Sequence, residues 1–150
     1  MIYNTGFEAI ISGLSAVLIA QLLKLLTFYF KTGKIDFIYL STTGGMPSSH
    51  SAGVMGLSTI VGIIQGFDST LFAVSLGFSL IIMYDAAGLR RAAGKTAACL
   101  NRMMDDFYHN DIQAAGGKLK ELLGHTPLEV FVGAVFGVCF AYLFHWFVLG

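Results

Sequence analysis

Residues 127–149 read PLEVFVGAVFGVCFAYLFHWFVL, and within this run Glu129 is the one formally charged side chain. A helix of that length covers about 34 Å at 1.5 Å per residue, enough for the roughly 30 Å of hydrocarbon in a bilayer. Three more runs of the same character lie upstream, at residues 7–30, 49–67 and 70–87. All four are continuous and rich in Leu, Ile, Val, Phe and Ala, whereas a membrane barrel would show many segments of about ten residues in apolar and polar alternation. The composition agrees: 55% of residues are hydrophobic and 12% charged, with 13 Phe and a mean hydropathy of +0.72. The reading is an all-α integral membrane four-helix bundle forming a single domain over residues 1–150.

Nine basic residues balance nine acidic ones, so no excess positive charge points to nucleic acid. Cys99 and Cys139 stand alone, which gives no disulfide framework and no metal-binding spacing; both are expected to be small packing residues. The run 7–30 lacks a basic leader and an A-x-A site and carries Lys24 near its far end, so it reads as a retained span rather than a secretory signal.

The link 66–69 makes the second and third helices an antiparallel hairpin. Residues 31–48 hold Gly33, Gly44, Gly45 and Pro47, a loop signature, and residues 88–125 form a polar insertion. Leu100, Met103, Met104 and Phe107 recur there at helical spacing, which predicts an amphipathic helix on the membrane or on the bundle, ordinary packing being the favoured reading.

Four spans put both termini on one face. That face, with the 66–69 link, carries Glu8 and Asp68 and no Lys or Arg, while all nine basic residues fall on the other. The basic face is therefore expected in the cytoplasm, with both termini outside and the chain in the inner or plasma membrane.

The unusual polar residues gather on the basic face. GGMPSSHSA (44–52) leads into the second span, GHTPLEVFVG (124–133) opens the fourth, and YDAAGLRR (84–91) closes the third. Two His, several cations and two helix N-termini thus meet at one membrane depth. Free N–H groups, the positive dipole end and Lys or Arg together suit a phosphate.

These residues resemble the type 2 phosphatidic acid phosphatase superfamily, which includes the vanadium-dependent haloperoxidases. Pro47-Ser48-Ser49-His50 is similar to its second signature, usually P-S-G-H, and His125 with Glu129 to the latter half of its third, where a His is followed at the fourth position by Asp. Lys24 and Lys31 have the spacing of the first signature, K-x6-R-P. Over residues 21–137 the set looks like a divergent, short branch of that superfamily. Departures are also present: Lys31 stands for Arg, Ser49 for Gly and Glu129 for Asp, and Leu119, flanked by Lys118 and Lys120, occupies the place of the third-signature Arg.

The resemblance implies metal-independent hydrolysis of a phosphomonoester, without a cofactor. His125 would be the nucleophile, Glu129 would orient its ring, and His50 would protonate the leaving oxygen. Lys24, Lys31, Ser48 and Ser49 would bind the phosphate, with Arg90 or Arg91 supplying the displaced guanidinium on chemical grounds and Asp85 in support. A membrane-embedded site favours a phosphorylated lipid. The alternatives are a noncatalytic membrane protein that binds or carries such a lipid and a purely structural bundle. Ordinary roles compete at each position. Thr126-Pro127-Leu128-Glu129 is also a capping box, Ser48 or Ser49 an N-cap, and Lys24 a snorkelling cation. His109 and His145 receive no role, and Tyr142 with Trp146 fits an aromatic belt. Gly133 and Gly137 suit close packing within the chain, while the remaining surface leaves room for a homo-oligomer.

Overall fold

The computed structural model of the chain describes residues 3–33, 45–107 and 124–149, the side chains of Lys31, Leu89, Arg90, Arg91, Asp106, Val148 and Leu149 excepted. Five α-helices follow in order: α1 (Gly6–Thr32), α2 (Ser49–Gln65), α3 (Thr70–Ala87), α4 (Leu89–Phe107) and α5 (Pro127–Leu143), the last continuing as a π-helical stretch, Phe144–Leu149. No strand occurs among the described residues. Among the described residues, three helical stretches are long and apolar enough to cross a membrane: Gly6–Phe30, Thr70–Asp105 and Pro127–Phe147.

α2 is not in that set. It has 17 residues, about 26 Å at 1.5 Å per residue. Gly66, at φ 92°, ends it in a conformation that side-chain-bearing residues resist. The chain then turns through Ser69, whose hydroxyl accepts from the Phe72 N–H at 3.2 Å and caps α3. The result is the α2–α3 hairpin. Ser58 and Ser79 hydroxyls bond across it at 2.7 Å, and Ser79 also donates to the Val54 carbonyl at 3.1 Å.

Packing explains how so short a helix becomes the centre. α2 touches α1, α3 and α5, and the residues it buries are small: Ser49, Ser51, Ala52, Gly53, Gly56, Ser58, Thr59 and Gly62, together with Ile60. A Cβ on Gly133 would collide with the Ser48 backbone, and one on Gly137 with the Ala52 carbonyl. The two contacts step by four residues on both helices, so α2 and α5 run parallel, backbone against backbone. On the opposite side Gly53 lies against Val17 and Gly56 against Ala16. Without a hydrophobic drive between helices in lipid, such close approach supplies the van der Waals contact that holds them. Large apolar side chains point outward instead: Leu14, Leu18 and Leu22 on α1, Phe78 and Ile81 on α3, and Phe131 on α5 are all exposed. That is the inverse of a water-soluble core.

Two expectations need correction. α4 begins at Leu89, directly after α3, and Leu100, Met103 and Phe107 of its apolar stripe are exposed, while Asn101 and Gly94 are buried. Ordinary packing therefore does not account for the stripe. Cys99 and Cys139 are exposed as well, because both fall on outward faces of their helices rather than in the core. Lys34, Gly44, His109, Lys118, Leu119 and Lys120 lie outside the described residues.

Candidate functional site

The site forms where α2 and α5 begin and α1 and α3 end. Thr126 opens α5 with its hydroxyl accepting from the Glu129 N–H at 3.3 Å, and Glu129 Oε2 accepts from the Thr126 N–H at 3.0 Å. This reciprocal box satisfies two N–H groups that the first turn would otherwise leave open. Pro127 at the first helical position has the φ a helix needs and no N–H to satisfy.

The same carboxylate oxygen lies 3.3 Å from His125 Nδ1. Capping and imidazole orientation are therefore one arrangement, not competing ones. At 3.3 Å the contact is longer than the 2.7–2.9 Å or so of a charge-assisted bond. Protonated at Nδ1, the ring would donate to this carboxylate. His125 is only 2% exposed and is pinned through its backbone, donating from N–H to the Ala86 carbonyl at 3.2 Å. The last turn of α3 thus positions the residue before α5.

His50 lies in the first turn of α2, and its ring meets that of His125 edge-on, centroids 6.0 Å apart at 68°. Ser48 locks the two helix starts together: its N–H donates to the Glu129 carbonyl at 3.1 Å, while its hydroxyl accepts from the Ser51 hydroxyl at 3.1 Å and caps α2 through the Ser51 N–H at 3.4 Å. Ser48, Ser49 and Ser51 are all buried.

Lys24 comes from α1 and is 2% exposed, within electrostatic reach of Glu129. Snorkelling does not describe a lysine so enclosed. Its aliphatic stem crosses Gly45, where a Cβ would sit 3.0 Å from Lys24 Cε, and Gly45 itself has φ +89°. Both the space and the backbone there call for glycine. Thr27 fastens the same segment, donating to the Met46 carbonyl at 3.1 Å.

The structure accordingly brings His125, His50, Glu129, Lys24, Ser48 and Ser49 to one end of the bundle. Asp85 is half-buried on the last turn of α3, one residue before the carbonyl that holds His125. Lys31 belongs to the last turn of α1, and Arg90 and Arg91 to the first turn of α4; their side chains lie outside the described residues.

A second His–carboxylate pair occupies the other end. Glu8, fully buried in the first turn of α1, has Oε1 at 2.5 Å from His145 Nδ1, and its Oε2 accepts the Asn4 N–H at 2.7 Å. Tyr3 stacks on the His145 ring at 5.1 Å. The sequence held a signal for this pair: a carboxylate in an apolar span needs a partner, and the face bearing Glu8 has no Lys or Arg, leaving His145 in the fourth run to serve.

Comparison with known proteins agrees with this membrane architecture. An uncharacterised membrane protein of Bacillus subtilis (strain 168), YuiD, is 44% identical over 139 residues, covering 86% of this chain and 88% of the relative. No solved structure matches the chain significantly. Residues 6–140, which include every helix start around His50 and His125, match the family profile described as "Divergent PAP2 family", and the chain, a helical membrane protein, belongs to that family.

Proposed function

We propose that the protein is a membrane phosphatase that hydrolyses a lipid phosphate or similar amphiphilic phosphomonoester through a phospho-histidine. The observation that carries this reading is the edge-on contact, at 6.0 Å between centroids, of the half-buried His50 ring with the buried His125 ring, whose Nδ1 faces Glu129. Two imidazoles so placed suit a division of labour between nucleophile and acid.

In the proposed reaction His125 Nε2 attacks phosphorus, and the bond from phosphorus to the ester oxygen breaks. His50 gives its proton to that oxygen. Water then attacks the phosphorus of phospho-His125 while His50 takes the proton the water loses; the phosphorus–Nε2 bond breaks, its electron pair returns to the ring, and inorganic phosphate leaves. Glu129 holds Nδ1–H throughout and offsets the charge that develops on the ring. Lys24, Lys31, Ser48, Ser49 and the N–H groups of the first turns of α2 and α5 bind the phosphoryl oxygens, with Arg90 or Arg91 standing for the guanidinium displaced by Leu119. Asp85 supports them. Phosphoryl transfer asks mainly for such positioning and charge neutralisation, so the reaction requires no metal or cofactor.

The proposal includes the setting. α2 completes four spans within one transmembrane domain, α4 lies along the cytoplasmic surface with its exposed stripe in lipid, both termini are outside, and the site faces the cytoplasm of the inner or plasma membrane. A homo-oligomer is compatible with the exposed apolar faces. Impermeant thiol reagents should label single cysteines near Thr5 and Asp68 in intact cells and leave those near Lys34 and Gly117 unlabelled; the reverse pattern overturns the orientation.

Purified protein, with chelator present, should release phosphate from at least one member of a panel of lipid monophosphates and should incorporate acid-labile, base-stable phosphate. Tight binding of the panel with no release in the wild type would assign the chain to the noncatalytic binders and carriers of phosphorylated lipid.

A further inference from the structure

Between α1, α2 and α3 runs a groove of about 270 Å³ whose walls are apolar save at one end, where His50 lines it. Ile10, Leu14 and Val17 form the α1 wall, Val54 and Leu57 the floor on α2, and Ile82 the α3 wall. On each of α1 and α2 the lining steps through about two helical turns, from residue 10 to 17 and from 50 to 57, so the groove extends about 10 Å along the bundle. It leads from the proposed site toward the membrane interior. Gly13 and Gly53 also line it.

From this we infer that the groove seats a single hydrocarbon chain of the ligand, its phosphate held at the His50 end. The assignment of the phosphate rests on the proposed function; that of the chain rests on the groove. Three features favour one chain over other occupants. The polarity is graded: an imidazole at the head and side chains of Ile, Leu and Val beyond it complement an amphiphile with one polar end. The volume is small, since an apolar cavity of about 150 Å³ takes one benzene ring, leaving no room here for two chains side by side. The direction is that of a lipid tail, parallel to helices that cross the bilayer. A lipid phosphate with two acyl chains would leave one of them outside the groove. Chain number, rather than headgroup alone, then sets which phosphates are taken.

The test uses a saturated monoalkyl phosphate carrying a photoactivatable diazirine at mid-chain, with the wild-type protein in nanodiscs. Cross-links should concentrate on Val54, Leu57 and Ile82, above the general lipid labelling of Leu18, Leu22 and Phe78 on the outer faces. Val54→Phe and Ile82→Trp, which fill the groove from different helices, should each lower the groove labelling at least fivefold in whichever variant keeps the wild-type circular dichroism and melting. Even labelling of groove and outer faces overturns the inference, as does an unchanged pattern in a folded filled variant, or a cross-link from the groove to a second copy of the chain. Phosphate release in the dark from the same probe is read in parallel. Groove labelling without release retains the chain site and overturns the hydrolase, while release without groove labelling does the opposite.

Discussion

The two ends of the bundle each hold a buried histidine against a carboxylate, and they are built in opposite ways. At the end where α2 and α5 begin, His125 and Glu129 are four residues apart, and the carboxylate also closes a helix cap. At the far end His145 and Glu8 are separated by 137 positions, and their bond ties the first turn of α1 to the π-helical end of α5. The first pair is looser, at 3.3 Å, and is joined by a second imidazole, a lysine and three serines. The second is shorter, at 2.5 Å, and a backbone N–H and aromatic rings surround it. A polar pair surrounded by other polar groups suits chemistry, whereas one closed off by rings and a distant helix suits fastening. At the site end α1 contributes Lys24, which lies within electrostatic reach of Glu129 on α5.

Removing the proposed nucleophile breaks the comparison most sharply. His125→Ala should reduce phosphate release to background, by about 10³–10⁴-fold, whereas His145→Ala should keep the wild-type rate per folded molecule. Equal loss in both, with both folded, would mean that the ends do not divide labour. Next in size is the fastening itself. Glu8→Ala leaves His145 without its buried acceptor and should lower the unfolding free energy in detergent by about 3–5 kcal/mol. Glu8→Gln retains a hydrogen-bonding oxygen and should lose less. The double variant with His145→Ala should lose less than the sum of the singles, as partners in one contact do.

Glu129→Gln sharpens the contrast from the other side. Glutamine can still close the capping box, so melting should change little, yet turnover should fall by about 100-fold because the charge beside His125 is gone. A large loss of stability with turnover intact would make Glu129 a cap alone. The smallest effect belongs to Thr126→Ala, which removes one cap bond and should cost about 1 kcal/mol of stability, read as a shift in melting with the rate nearly preserved.

Much of this was legible in the sequence because it is local. A proline, a threonine before it and a glutamate two residues after specify the start of α5, and with His125 at i−4 they set the imidazole beside the carboxylate. Ser48 before a His-containing apolar run specifies the start of α2 in the same way. The Glu8–His145 pair is harder to read because its signal is the charge balance of one face and not a spacing, the two residues lying 137 positions apart. α2 reads from its uncharged composition as a span like the others; what composition does not tell is that its small Ser and Gly faces set it among three helices. The stripe on α4 was correctly periodic, yet periodicity reports which residues share a face and not what that face meets.

The small-residue lining of α2 reverses the usual pattern of mutational tolerance. In a water-soluble core, trimming side chains opens cavities and is the common route to loss of stability. Along α2 the buried positions have few methyl groups to lose, Ile60 being the large exception, while the backbone contacts at Gly133 and Gly137 leave no volume for an added one. A saturation scan of this interface should therefore rank substitutions by added volume: Ser to Ala or Gly near neutral, Ala to Val harmful, Gly to anything larger worst. Such a core drifts only between residues of similar size, and an insertion of one residue in α2 would turn the small faces beyond it by about 100° away from their partners.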